Sequence, residues 1–207
     1  MSGHGISCYS KRLLADAETY LLEGIHFYEQ INIFTWNSVA QGFLGETYYE
    51  LGDYPKSKIY YMKAISQTKK GGVLPTWMKL NQIAMLRSMI MNNEEDVDLE
   101  LIYTYISENK IKAYEGWMRR LLGEILLNMD ENHLPEAEDW IRQAIEADKK
   151  NGMMFYLAKD YALYADLFKR KDDIPKAKEN LTKAIEIFTE CGADGWVEKY
   201  EKELAVI

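Results

Sequence analysis

Proline recurs with a period of about 40 residues in this chain, and this repeat limits the possible folds more than any other feature of the sequence. Pro55, Pro135 and Pro175 are 80 and 40 residues apart, and an Ala-Ile pair follows nine residues after each of them. A fixed period of roughly 20 to 50 residues is typical of proteins built from stacked supersecondary repeats. The sequence therefore predicts a repeat architecture.

Each repeat has the pattern of two helices joined by a short turn. From Trp36 to Leu51, apolar residues recur at three- and four-residue steps, which is an amphipathic helical period. Gly52 suits a left-handed helix end, and Asp53 can cap the helix that follows. Pro55 stands at the opening of that second helix, where its fixed φ is tolerated. Because sustained period-two alternation is absent, we predict an all-α fold.

The phase of the repeat predicts the order of the elements. Residues 1–10 are predicted to be a flexible tail, and 11–207 a single solenoid domain. Lys11–Gln30 has the phase of a second helix whose first helix is missing. Four complete pairs and a charged capping helix follow, and an acidic run at 92–96 replaces the Gly-Asp turn of the second pair. The predicted bounds are 33–70, 74–109, 112–150 and 153–191 for the pairs and 194–206 for the cap. Such pairs stack into a right-handed superhelix, here of about ten helices.

Composition restricts the partners and the compartment. The chain has 207 residues and a formal net charge of -8, which argues against general binding to nucleic-acid phosphates. Its two cysteines, Cys8 and Cys191, are far apart and form no CxxC motif, so a reducing cytoplasmic location is the simplest expectation. No apolar run reaches the ~20 residues that span a bilayer, and no membrane association is expected.

No catalytic, cofactor or metal site is predicted. His4, His26 and His133 form neither an HExxH motif nor a Cys-His spacing. Acidic pairs such as Glu94-Glu95 fall in predicted turns, where carboxylates usually cap helices in contact with water. We therefore expect the chain not to be an enzyme.

The aromatic residues are assigned to packing and not to a ligand box. Tryptophan recurs near the starts of the first helices, at Trp36, Trp77, Trp117 and Trp196, with Leu157 in the vacant slot. Core or inter-repeat contacts would require this periodicity.

One repeat resembles the tetratricopeptide (TPR) repeat in a longer form of about 40 residues. The residues that carry this resemblance are Leu44, Gly45, Tyr48, Leu51-Gly52-Asp53-Tyr54, Ser57, Tyr61 and Ala64. The long repeat and the run from Phe188 to Trp196 also resemble the C-terminal TPR regions of bacterial signalling proteins that join adenylate/guanylate cyclase and AAA-type ATPase domains. The resemblance implies a sensing or docking segment of such a regulator, without the catalytic domains.

The resemblance also implies a concave face lined by the first helices. Projecting their helical phase points a mixed set of side chains into it: Glu46, Tyr49, Asn81, Met85, Arg120, Glu124, Lys159, Asp166 and Lys169. Methionine, tyrosine and both signs of charge suit a peptide or a helix better than a phosphate group.

Three hypotheses for the function follow. The first is a non-catalytic protein-interaction module that binds a peptide or helix in the concave groove. The second is an intramolecular regulatory or oligomerisation element, because Lys11–Gln30 has apolar residues on more than one side, including Leu21 and Ile25, that could pack on upstream repeats or in a homodimer. The third, ligand sensing, would require an enclosed pocket with converging polar groups.

Overall fold

A computed structural model describes residues 2–94 and 97–207, and all regular structure within these ranges is helical. The helices are α1 (Ser2–Ser10), α2 (Leu14–Gln30), α3 (Phe34–Glu50), α4 (Tyr54–Gly71), α5 (Pro75–Met91), α6 (Leu99–Ser107), α7 (Lys112–Met129), α8 (Leu134–Asn151), α9 (Met154–Arg170), α10 (Ile174–Glu190) and α11 (Asp194–Leu204), with a 3-10 turn at Glu131–His133. Neighbouring helices pack in pairs, the arrangement from which TPR-like superhelices are built. The predicted all-α class is confirmed.

The helices group into two compact units, which are described separately. Unit 1 comprises residues 1–99 and unit 2 residues 100–207. We call the odd-numbered helices first helices and the even-numbered ones second helices. The expectation of one solenoid domain over 11–207 concerns how the units join, and it stays a prediction.

The helix ends follow from the local chemistry that the sequence indicates. Gly52 adopts φ +77° after α3, and the Asp53 side chain accepts a hydrogen bond from the Lys56 backbone N–H at 3.1 Å. Asp173 caps α10 in the same way, through the N–H of Lys176. Each cap satisfies a backbone donor that the first turn leaves without a partner.

The second predicted pair is the least regular. Its second helix, α6, has nine residues, whereas α4 has 18. In the predicted turn at 92–96, Asn93 adopts a left-handed φ of +58° and Glu94 forms an ion pair with Lys58. Glu95 and Asp96 lie outside the described residues, so the predicted Glu94-Glu95 pair is described only in part.

The prediction of a flexible tail at 1–10 is wrong for residues 2–10. Ser2–Ser10 forms α1, which packs along α2. Gly5 makes this possible, because a Cβ there would lie 2.7 Å from Leu21 Cγ. Gly24 allows the same close approach to Ser2. Met1 lies outside the described residues.

The sequence analysis predicted that the second helix at Lys11–Gln30 has no first helix to pair with, and this prediction is wrong because α1 fills that role. With α1 in place, Leu21 and Ile25 are buried within the chain. The proposed self-association surface at these two residues is closed, because small residues in α1 bring it against α2.

The aromatic assignment is right at three of the four repeating tryptophans. Trp77, Trp117 and Trp196 are buried, and so is Leu157. Trp36 is 54% exposed, so the prediction that it belongs to the core is wrong. In α11, Trp196 and Tyr200 pack against the chain while the charged residues Glu198, Glu201 and Lys202 are exposed.

Candidate functional site

The structure divides the predicted groove residues into two groups. One group is buried between helices and cannot meet a partner without rearrangement: Glu46, Tyr49, Asn81, Arg120 and Lys159. The other is partly exposed on the first helices: Met85, Glu124, Asp166 and Lys169. Of the residues predicted to line the groove, only the second group is therefore available at the surface.

Glu46 lies at the centre of a buried polar cluster in unit 1. Its Oε1 accepts hydrogen bonds from Arg87 Nη2 at 2.9 Å and from the Tyr61 hydroxyl at 2.6 Å. Its Oε2 accepts one from the Tyr9 hydroxyl of α1 at 3.2 Å. The Arg87 guanidinium also lies 3.5 Å from the centre of the Tyr49 ring. This cluster joins α1, α3, α4 and α5.

The electrostatics of this cluster favour a structural role. Burial, together with the neighbouring Glu46 carboxylate, raises the pKa of Tyr61 well above its usual value. Tyr61 therefore stays a neutral donor over the accessible pH range. Because the charges of Glu46 and Arg87 compensate each other inside the protein, the pair holds the helices together and presents no free charge.

Unit 2 contains a second buried cluster, on α7, α8 and α9. Arg120 Nη1 donates to Asp160 Oδ1 at 3.2 Å and to the Tyr156 carbonyl at 3.4 Å. Asp148 of α8 lies beside Asp160, and both carboxyl groups are fully buried. A Cβ on Gly116 would lie 2.1 Å from Asp148 Oδ1, so only glycine leaves room for this carboxyl group.

Two carboxyl groups here share one arginine. Burial raises the pKa of Asp148 to about 6, against the opposing effect of Arg120. The pKa of Asp160 is raised for the same reason and further by Asp148. When both are ionised, neither carboxyl group can donate to the other, and within the described residues no group donates to either oxygen of Asp148. Burial therefore favours the protonated form of at least one of the two carboxyl groups. Because Asp148 and Asp160 are both fully buried, a substrate could not reach them without a rearrangement of the helices.

Two other predicted groove residues serve helix packing. Asn81 Nδ2 donates to the Trp77 carbonyl at 2.7 Å, and a Cβ on Gly42 would lie 2.6 Å from Asn81 Oδ1. In unit 2, Lys159 Nζ lies 4.5 Å above the Trp196 ring, a cation–π contact between α9 and α11.

The partly exposed residues form two surfaces. On α5, Met78, Met85 and Met89 lie at helical spacing and are all half-buried. We call these three residues the methionine row. In unit 2, Lys169 forms ion pairs with Asp166 of α9 and Glu203 of α11.

Burial and ion pairing have opposite effects on the pKa values of Asp166 and Lys169. Burial raises the pKa of Asp166, although Lys169 acts against this rise. Burial alone would lower the pKa of Lys169, but hydrogen bonds to Asp166 and Glu203 raise it.

Sequence reasoning missed Arg87, Asp148 and Asp160. A usable signal was present for two of them, since Arg87 lies 41 residues after Glu46 and Asp160 lies 40 residues after Arg120. Opposite charges one repeat apart on consecutive first helices can pair across the helix interface. Asp148 offers no such signal, because it lies on a second helix in a run of charged residues.

The described ranges contain no group of three or more His, Cys, Asp and Glu side chains that could hold a metal ion. Within those same ranges, no helix has both the length and the apolar character that crossing a membrane requires.

Comparison with known protein families agrees with this geometry. The model of the tetratricopeptide repeat matches residues 40–70, which comprise most of α3 and nearly all of α4. A comparison with curated proteins gives no match. TPR repeats generally mediate protein–protein interaction and not catalysis. Residues 40–70 of this helical-repeat chain form a TPR repeat.

Proposed function

We propose that this chain is a non-catalytic protein-interaction module that binds a peptide or helix along the partly exposed faces of its first helices. The methionine row of α5 carries the proposal. It lies on the first helix that follows the TPR repeat at 40–70.

Methionine suits this role for physical reasons. Its unbranched side chain and polarisable sulfur adapt to differently shaped apolar partners. A row at helical spacing matches the spacing of apolar side chains on an amphipathic helix, which would lie along it. The buried ion pair between Glu46 and Arg87 joins α3 to α5, so a partner would meet a preorganised surface.

Unit 2 has partly exposed charged residues on its own first helices, and they would orient a partner that binds unit 2. Glu124, Asp166 and Lys169 are partly exposed and carry both signs of charge. Charges at the rim of an interface affect association rate and specificity more than affinity. The buried members of the predicted set, such as Glu46 and Arg120, would act by holding the helices.

The cellular context belongs to the same proposal. The resemblance of the run from Phe188 to Trp196 to bacterial signalling regulators supports a role as the docking or sensing segment of such a protein, in the cytoplasm. The net charge of -8 supports a protein partner over nucleic acid.

A peptide-display selection on the folded chain tests this function. We expect amphipathic helical peptides that bind with micromolar Kd in calorimetry. Met85→Glu should weaken binding at least tenfold, because it places a charge on the apolar row. Met62→Glu is the matched control, since Met62 is a 53% exposed methionine on the second helix α4. A selection that yields no helical binder, or equal effects of the two substitutions, would contradict the proposal.

A further inference from the structure

The last turn of α8 is held in place by side chains that reach both neighbouring first helices. α8 packs on α7 and on α9. In this turn, Asp148 is fully buried beside Asp160 of α9 and against Gly116 of α7. Asn151, the last residue of α8, donates from its Nδ2 to the Lys112 carbonyl of α7 at 3.1 Å. The last turn of α8 thus contacts the first half of α7 and the first half of α9.

The contact at Asp148 is close, and its acceptors are not satisfied. A Cβ on Gly116 would lie 2.1 Å from Asp148 Oδ1, so the α7 backbone lies directly against this carboxyl group. Within the described residues, neither oxygen of Asp148 has a hydrogen-bond partner, and neither does Asp160 Oδ2. A proton on one carboxyl group would allow it to donate to the other. This hydrogen bond would satisfy one acceptor on each side without moving a helix.

The charges around the pair do not balance when both carboxyl groups are ionised. The charged groups that face Asp148 are Glu115, Arg119 and Arg120 on α7 and Asp160 on α9. Glu115 and Arg119 form an ion pair with each other at 2.9 Å. Among these groups, Arg120 is therefore left to face two carboxyl groups. A buried charge without compensation is costly.

We propose that the Asp148–Asp160 pair is a proton-dependent latch for the last turn of α8. When one of the two carboxyl groups carries a proton, it donates to the other, and the turn stays closed against α7 and α9. When both are ionised, their repulsion in the buried site favours local opening of the turn, which exposes Asp148 to water. This inference goes beyond the proposed function, since it concerns unit 2 and does not depend on the methionine row.

The position of the two residues determines which one moves. Asp160 is the seventh of the 17 residues of α9 and is paired with Arg120 at 3.2 Å. Asp148 lies near the end of α8, which stops at Gly152 with a left-handed φ of +69°. The last turn of a helix can open without breaking the turns before it. Ionisation should therefore release Asp148 and leave the pair of Arg120 and Asp160 in place.

Hydrogen exchange of the full chain, expressed as protection factors that correct for the intrinsic effect of pH, tests the latch. The folded-state pKa of Asp148 is about 6, and the open turn would return it to its ordinary value. Backbone amides at 148–153 should therefore be about tenfold better protected at pH 5 than at pH 7.5. The sign follows from the raised folded-state pKa, because the stabilising effect is lost as the pH rises through it.

Two variants separate the latch from a general effect of charge. Asp148→Asn should remove most of the pH dependence, because the asparagine amide can donate to Asp160 at both pH values. Asp139→Asn is the matched control, since Asp139 is an exposed carboxylate on the same helix, in an ion pair with Arg142. This control should keep the tenfold difference.

The opposite results would overturn the latch in distinct ways. Equal protection of 148–153 at both pH values in the wild-type chain would exclude it. A pH dependence that survives Asp148→Asn would place the titrating group elsewhere, and one that Asp139→Asn also removes would reflect surface charge. A change of equal size in every helix of unit 2 would show global unfolding and not local opening. A carboxyl-carbon NMR titration in which both Asp148 and Asp160 ionise below pH 5 would also exclude the latch.

Discussion

At the scale of single residues, each unit buries an ion pair between consecutive first helices. Glu46 pairs with Arg87 in unit 1, and Asp160 pairs with Arg120 in unit 2. Removing one partner of such a pair leaves a buried charge without compensation, whereas removing both avoids that cost.

Arg87→Met should lower the free energy of unfolding by about 3–5 kcal/mol, because the Glu46 carboxylate loses its countercharge. The double variant Glu46→Gln with Arg87→Met should lose less than the sum of the single variants. Urea unfolding of the four proteins measures this coupling. Lys183→Met, in an exposed pair with Glu179, is the control and should change stability by less than about 1 kcal/mol. Additive single effects would show that the buried pair is not coupled.

Asp148→Asn should stabilise the protein above neutral pH. The folded-state pKa of Asp148 is raised to about 6, so its stabilising effect is complete below the unfolded-state pKa. This stabilising effect of Asp148 is lost as the pH rises through its folded-state pKa. An asparagine amide can donate to Asp160 at every pH, and we expect a gain of about 2 kcal/mol at pH 7.5.

Thermal unfolding of both proteins between pH 4 and pH 8 measures this difference. The gain of the Asn variant over wild type should shrink towards pH 4, where Asp148 is protonated. A gain that does not change with pH would show that Asp148 does not titrate in this range. Because Asp148 also raises the pKa of Asp160, the substitution changes the titration of both carboxyl groups, and the pH dependence of the difference reports on the pair.

At the scale of elements, the sequence predicted most helix ends because their chemistry is local. Gly52, Asp53 and Pro55 end one helix and start the next without help from distant residues. α1 could not be predicted this way. Gly3 and Gly5 lower its intrinsic helix propensity, and its stability comes from contacts with α2 and α3.

Gly5→Ala should destabilise the protein even though alanine favours helix. Its Cβ would lie 2.7 Å from Leu21 Cγ and 3.0 Å from the Leu21 backbone nitrogen, so α1 must shift. We expect the free energy of unfolding to fall by about 1–3 kcal/mol and hydrogen exchange in α1 to become faster. Gly3→Ala is the matched control, because nothing lies within 4 Å of a Cβ added at this position. It should raise the free energy of unfolding by about 0.5 kcal/mol, since alanine favours helix over glycine. Similar effects of both substitutions would argue against docking of α1.

Asp53→Ala should lower the free energy of unfolding by about 1 kcal/mol, because it removes the N-cap of α4. Asp53→Asn should lower it less, since asparagine can also cap a helix. Hydrogen bonding to Lys56 lowers the pKa of Asp53. The charge-dependent part of its effect is therefore present above the unfolded-state pKa and is lost as pH falls through the folded-state value. Denaturant titrations at pH 7 and pH 3 separate the two parts. A larger loss for Asn than for Ala would exclude the cap.

At the scale of the whole molecule, the repeat predicted the all-α fold class, but it did not show which first-helix residues are buried and which are exposed. Helical phase placed the predicted groove residues correctly on the first helices. It could not show that Glu46 and Arg120 are neutralised by Arg87 and Asp160, because pairing depends on how neighbouring repeats pack. It also could not show that α1 buries Leu21 or that Trp36 stays exposed.

If the first helices form the surface that binds a partner, a bound peptide should protect their backbone amides from exchange. Hydrogen exchange of the full chain, with and without a peptide selected by display, measures this protection. The bound peptide should slow exchange in α5 around Met85, and the same peptide should not slow exchange in the Met85→Glu variant. Protection confined to the second helices α4 and α8, or protection that survives Met85→Glu unchanged, would contradict it.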